Sequence, residues 1–240
     1  MIGKNNLKSP PRGVQIFSWA LFDLANTIFF FNILSVHFAL WIVNDMGGSD
    51  WDYGLANVLA MSLVILTAPI LGALSDATGR RVPFLFVTTT SCVVFTCLLG
   101  IGGIGVSLAI FVLANYMFQS GLIFYDALLP SLTTVENRGK VGAIGVSVGY
   151  IGSLIGAGVG IFWFDELGRI GMFRITGILF FIFSIPCFIL VKEKSVADGK
   201  IRSQVITNYF AQLRNTLTKA RQVEGIPRFL IGRIFYTDAI

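Results

Sequence analysis

Three ionisable side chains, Asp23, His37 and Asp126, stand inside stretches that otherwise carry almost no charge. An acid at the centre of a membrane helix costs roughly 2.5 to 3.5 kcal/mol on insertion scales. Such a residue is retained where it binds and releases a proton or hydrogen-bonds a polar solute. At the 100° step of an α-helix, Asp23, Asn26, Phe30 and His37 fall within about 60° of one another. Asn115, Gln119, Leu122 and Asp126 make a second polar line. Two such lines face something other than lipid. The structural alternative is hydrogen bonding between helices, or, for His37, a neutral imidazole bonded to a backbone carbonyl. Two carboxylates sharing a proton would also suit an aspartyl protease. The Gly-x-Gly-Asp element that intramembrane proteases of that type resemble one another in does not occur in this sequence, so no enzyme is expected.

The elements that must hold these side chains are long apolar runs: 16–43, 53–74, 83–102, 106–129, 141–164 and 173–191. Each meets the roughly 20 residues needed to cross about 30 Å of hydrocarbon. The chain is 55% hydrophobic and 13% charged, which rules out an ordinary water-soluble surface. Strands would read as alternating segments of about ten residues, so six helices are expected. The first run is too long for a signal peptide and carries Asp23 and Asn26. Cys92, Cys97 and Cys187 all fall inside runs, the first two about 140° apart around a helix. They read as small apolar fillers, with no disulfide, metal site or cofactor expected.

Cations near span ends are held on the cytoplasmic side. Lys4, Lys8 and Arg12 precede the first run, Arg80 and Arg81 link the second to the third, and Arg138 and Lys140 link the fourth to the fifth. Eight more follow the sixth, from Lys192 to Arg228, whereas the opposite links hold only Arg169 and Arg174. A cytoplasmic N-terminus, residues 1–15, is the expectation. The net charge of +5 is then a topology signal with a modest attraction to anionic headgroups, and nucleic acid is not implied.

In 192–226, Ile201, Val205, Tyr209, Phe210, Leu213, Leu217 and Ala220 recur at helical spacing opposite Arg202, Gln212, Arg214, Lys219 and Arg221. This predicts a cytoplasmic amphipathic linker, lying on the membrane surface or packed on the domain. A new apolar run, 227–240, is too short to span and reads as the truncated start of a seventh helix. In the fifth run, Gly145, Gly149, Gly152, Gly156 and Gly160 form a stripe about 80° wide that lets a neighbouring helix approach closely.

Between the second and third runs stands Gly72-Ala-Leu-Ser-Asp76-Ala-Thr-Gly79-Arg80-Arg81. Physically, Gly79 allows a tight turn, Asp76 is suited to cap a helix N-terminus and the arginines anchor the turn. The segment resembles the loop signature of the major facilitator superfamily, without the basic residue usual where Ala77 stands. Trp19-Ala-Leu-Phe-Asp23-Leu-Ala-Asn26-Thr, Phe124-Tyr-Asp126-Ala-Leu-Leu-Pro130 and Glu136-Asn-Arg138-Gly139-Lys140-Val-Gly142 are similar to the vacuole effluxer-like family within it. Phe235-Tyr236-Thr-Asp238 resembles the opening of that family's second half. Asn is the commoner residue in that family where this chain has Asp126.

The resemblance implies an all-α integral membrane protein: a six-helix N-terminal half of two inverted three-helix repeats, plus the start of a seventh helix. It implies a carrier of small solutes, amino acids among them, working by alternating access with a second six-helix half. A coupling proton and the lipid bilayer are the other partners. Helices 1, 4, 7 and 10 would line the path. Asp23 and Asn26 would meet solute or proton, Asn115 and Gln119 would supply neutral hydrogen bonds, and Asp76 with Arg80 would latch the inner gate, with Gly72, Gly79, Arg81 and Arg138 in the gating loops. A bacterial inner membrane is the first expectation and a vacuolar membrane the second. A membrane scaffold or receptor is the rival reading, and it would have no use for polar lines facing a cavity.

Overall fold

The computed structural model describes residues 12–193, together with Gly225 and Gly232. The linker beyond residue 193, the start of a seventh helix and residues 1–11 lie outside the described residues, apart from those two glycines. Every long element described is helical. We number them α1 (Arg12–Asp45), α2 (Asp50–Thr78), α3 (Val82–Leu98) and α4 (Ile104–Leu132), followed by a run Arg138–Leu190 that breaks at Gly168. Gly168 has φ 59° and ψ −176°, a conformation essentially confined to glycine. It divides the run into α5 (138–167) and α6 (169–190). Four of the runs are long and apolar enough to cross a bilayer by themselves. With α3, at 17 residues, and the run divided at Gly168, the described residues hold six helices where the sequence predicts six between 16 and 191.

Ring contacts fix their directions. Along α1, Phe22, Phe29 and Phe38 meet Tyr125, Phe118 and Phe111 of α4 in reverse order, so the two helices are antiparallel. Phe180 of α6 lies against Phe22 and Phe29, while Phe173 lies against Phe38 and Trp41, which again runs opposite to α1. Phe84 of α3 stacks on Phe124. The core is therefore an aromatic column in which α1 is central, touched by α4, α5 and α6.

The α1–α5 seam is the tightest contact. Every glycine of the predicted stripe faces α1. A Cβ on Gly145 would stand 2.6 Å from the Trp19 ring, and one on Gly149 would stand 2.9 Å from Asp23 Oδ2. One on Gly152 would collide with the Leu24 carbonyl, one on Gly156 would reach Phe31 at 3.3 Å, and one on Gly160 would come 3.6 Å from His37 Nε2. The two helices run parallel. Without a hydrophobic drive between helices in lipid, this backbone approach is what gives dispersion contacts their reach.

The second half of α1 departs from regular α geometry. Its backbone takes wide, π-type turns over Phe30–His37 and Trp41–Asp45. Such turns carry about 4.4 residues each, so the angular step falls below 100°. Leu34 O, inside the first wide segment, accepts the Tyr53 hydroxyl of α2. A carbonyl drawn to an outside donor is one recognised cause of a local change in helical pitch.

Gly152→Ala is expected to lower stability by about 1–3 kcal/mol, because the opposing atoms belong to the Leu24 backbone and cannot rotate away. Gly158→Ala, which would meet nothing within 4 Å, should be neutral or gain up to about 1 kcal/mol. Thermal unfolding in detergent compares the two; equal effects would remove the packing explanation.

Candidate functional site

Asp23 sits one helical turn above the Trp19 ring, which stacks on Tyr125 of α4 at 4.8 Å and donates its Nε1–H to the Tyr125 carbonyl at 3.3 Å. Phe22 also stacks on the Tyr125 ring, at 5.1 Å. The Asp23 carboxylate itself is half-buried and lies over Gly149 of α5, beside the Thr27 hydroxyl, which is tied to the Asp23 carbonyl at 2.9 Å. Asp23 and Asp126 lie within electrostatic reach of each other, and the Tyr125 hydroxyl within reach of both. Three helices thus meet at one carboxylate. Glycine at 149 is what leaves it room.

The remaining members of the two polar lines part company. Asn26 is buried with its amide nitrogen unpartnered, whereas Phe30 is 51% exposed. His37 stands against α5, its ring stacked on Phe164 at 5.7 Å and its Nδ1 without a partner among the described residues. The wide turns that begin at Phe30 shift the register there: Phe31 and Asn32 stand against Gly156 while Phe30 turns outward, and His37 stands over Gly160 as Asp23 stands over Gly149. On α4, Asn115 is fully buried and donates to Asn57 Oδ1 of α2 at 2.9 Å, which places it in a helix contact. Gln119 is half-buried and Asp126 is exposed. Asp23, Tyr125 and Asp126 are brought together; Asn115 is not part of that group.

At the end carrying Arg12, Arg80, Arg81 and Arg138, the loop motif folds largely as its chemistry requires. Gly79 adopts φ 61° and ends α2, its N–H donating to Ser75 O at 3.0 Å. Asp76 pairs with Arg81 at 3.1 Å, and the expected Asp76–Arg80 pair gives way to it. A turn that reverses at Gly79 carries Arg80 outward, where it is exposed. Nor does Asp76 cap a helix start. The N-terminus of α3 is capped from a distance by Glu193, whose two carboxylate oxygens accept the Arg81 N–H at 2.7 Å, one of them also taking the Val82 N–H at 2.9 Å. An anion at the first N–H groups of a helix satisfies donors that have no intrahelical partner and complements the helix dipole. Glu193 is absent from the sequence-based candidates. An acid two residues after the apolar run closes at Val191, between Lys192 and Lys194, is the one local sign of it.

Two further ties hold the same end: Arg12 Nε donates to Leu132 O at 2.9 Å, and the Lys192 N–H donates to Gln15 Oε1 at 3.1 Å. Arg138 is exposed at the start of α5. A Cβ on Gly72 would meet nothing within 4 Å, so among the described residues no neighbour requires that glycine. At the opposite end, Arg169 pairs with Asp45 at 2.9 Å and lies over the Phe164 ring at 5.3 Å, joining α1 to the α5–α6 bend.

The family model described as Major Facilitator Superfamily matches residues 22–237. A protein of Aquifex aeolicus (strain VF5), described as an uncharacterized protein, is 29% identical over 192 residues, which cover 78% of this chain and 48% of that protein. The chain thus spans about half the length of this relative.

Glu193→Ala should cost about 1–2 kcal/mol by exposing the start of α3, and should speed hydrogen exchange at the Arg81 and Val82 amides specifically. Arg80→Ala should change neither. Unchanged exchange at those two amides in Glu193→Ala would contradict the capping geometry.

Proposed function

The chain belongs to the major facilitator superfamily, and from that premise we propose that it is the first half of a secondary carrier in which Asp23 couples solute movement to a proton. Transporters of this superfamily bind small-molecule solutes and sit in a lipid bilayer, and the long apolar helices agree with a multi-pass membrane protein. The second half supplies six more helices, with residues 192–226 as the connector and 227–240 opening the seventh. The basic end faces the cytoplasm, in a bacterial inner membrane. The solutes are amino acids, by likeness of the Asp23, Asp126 and Arg138 segments to the vacuole effluxer-like family.

The observation that carries this reading is the seat of Asp23. Its carboxylate lies over Gly149, one turn from the Trp19–Tyr125 stack and within reach of Asp126. Adding or removing one proton there changes a charge against which α1, α4 and α5 are all packed. Alternating access requires helices of one half to shift together, and a charge shared by three of them is a trigger for such a shift. Asn26, with an unpartnered amide nitrogen, and half-buried Gln119 offer hydrogen bonds to the solute. Asp76 with Arg81 latches the cytoplasmic end. Asn115, bonded to Asn57, holds α2 to α4.

In proteoliposomes of the full-length protein with an imposed proton gradient, a pool of radiolabelled amino acids should accumulate uphill. Asp23→Asn should lose that accumulation at least tenfold while keeping exchange between labelled and unlabelled solute. Gly149→Ala, which crowds the carboxylate, should impair accumulation in the same direction. Uphill uptake that survives Asp23→Asn would defeat the coupling role; a wild type that moves no amino acid in either mode would defeat the solute assignment.

A further inference from the structure

Between the far half of α1 and α5 lies a cavity of about 420 Å³ whose walls include Phe31, Asn32, His37, Gly156, Phe164 and Asp165. Its chemistry is uneven. The wall is mostly apolar, yet Asn32 is 0% exposed with neither amide atom partnered, and His37 is 6% exposed with Nδ1 unpartnered. Buried amide and imidazole atoms without partners are rare in folded proteins because desolvating them is costly, so two such residues at one cavity leave hydrogen-bonding capacity there for a water or a ligand to take up. The space is kept open by Gly156: a Cβ there would stand 3.5 Å from Asn32 Nδ2 and 3.6 Å from Oδ1.

We propose that this cavity binds a primary ammonium group carried on an apolar body. Asn32 Oδ1 and an unprotonated ring nitrogen of His37 accept hydrogen bonds from the ammonium, and Asp165 at the rim supplies the countercharge. Asp165 is exposed and makes no ion pair among the described residues. The cation beside the cavity, Arg169, is committed to Asp45 and to the Phe164 ring, so it does not offer itself to a carboxylate. The face of Phe31 suits both the apolar body and the cation. The wide turns of α1 are what present Asn32 and His37 to α5 together. This inference rests on the carrier reading only in placing the cavity on a solute's route; binding is measured without transport, so the two fail separately.

The ammonium could arrive on a free amine or on a lipid headgroup, and two arms of one experiment separate them. The full-length protein is placed in nanodiscs of phosphatidylcholine, which has no primary amine, and titrated calorimetrically with 2-phenylethylamine against empty discs. Saturable binding is expected, at least tenfold weaker for uncharged 2-phenylethanol, and at least tenfold weaker in Asn32→Ala and in Asp165→Asn. Asp165 is exposed, so its substitution tests the charge even where Asn32→Ala does not fold. In the second arm, phosphatidylethanolamine discs that abolish amine binding assign the site to the headgroup, and undiminished binding assigns it to the free amine; both keep the ammonium. No saturable binding in phosphatidylcholine discs, equal affinity for the alcohol, or indifference to both substitutions would overturn the proposal.

Discussion

The closeness of α1 to α5 is the constraint on which the rest of this fold depends. Five glycines at three- and four-residue spacing remove the Cβ atoms that would otherwise hold the helices apart, and α1 fills the groove with Trp19, Asp23, Phe31 and His37. That filling is unusual in being half polar. In lipid, an Asp23 turned outward would carry the roughly 2.5 to 3.5 kcal/mol burden of an acid in hydrocarbon. Turned toward a glycine, it needs only the space of a missing methyl group. The groove that packs the helices is therefore also what shelters the charge.

Much of this was legible from residue types. Six apolar runs became six helices because length and absence of charge are the requirements the bilayer imposes. The Gly145–Gly160 stripe was legible as a packing face, and Asp23 with Asn26 as a polar one. What residue spacing did not disclose is that the two faces meet each other. The register of Phe30 was lost where wide turns open, since a carbonyl bonded to Tyr53 from another helix leaves no trace in the periodicity of α1. Glu193 escaped for a similar reason: it caps backbone 112 positions earlier, and only the return of α6 brings it there. The choice of Arg81 over Arg80 was set by the φ 61° turn at Gly79, which the sequence located but did not orient.

The two ends of the bundle are closed by different means, and this bears on motion. One end is held by groups that reach backbone atoms, Glu193 at α3, Arg12 at α4 and Gln15 at Lys192. The other carries, among the described residues, the Asp45–Arg169 ion pair next to a glycine bend. Between them, among the described residues, buried side-chain atoms without a partner stand on α1 at Asn26, Asn32 and His37. Such atoms leave hydrogen-bonding capacity that a water or a solute can take up.

The seat of Asp23 on Gly149 is tested most directly by a double-mutant cycle on stability in detergent micelles, using Asp23→Ala, Gly149→Ala and the pair. Two groups in contact should not behave additively: removing the carboxylate should relieve much of the crowding caused by a methyl at 149, giving a coupling of about 1 kcal/mol or more. Additivity within about 0.3 kcal/mol would mean that the two residues do not touch, and the shared charge at the centre of this account would have no structural basis.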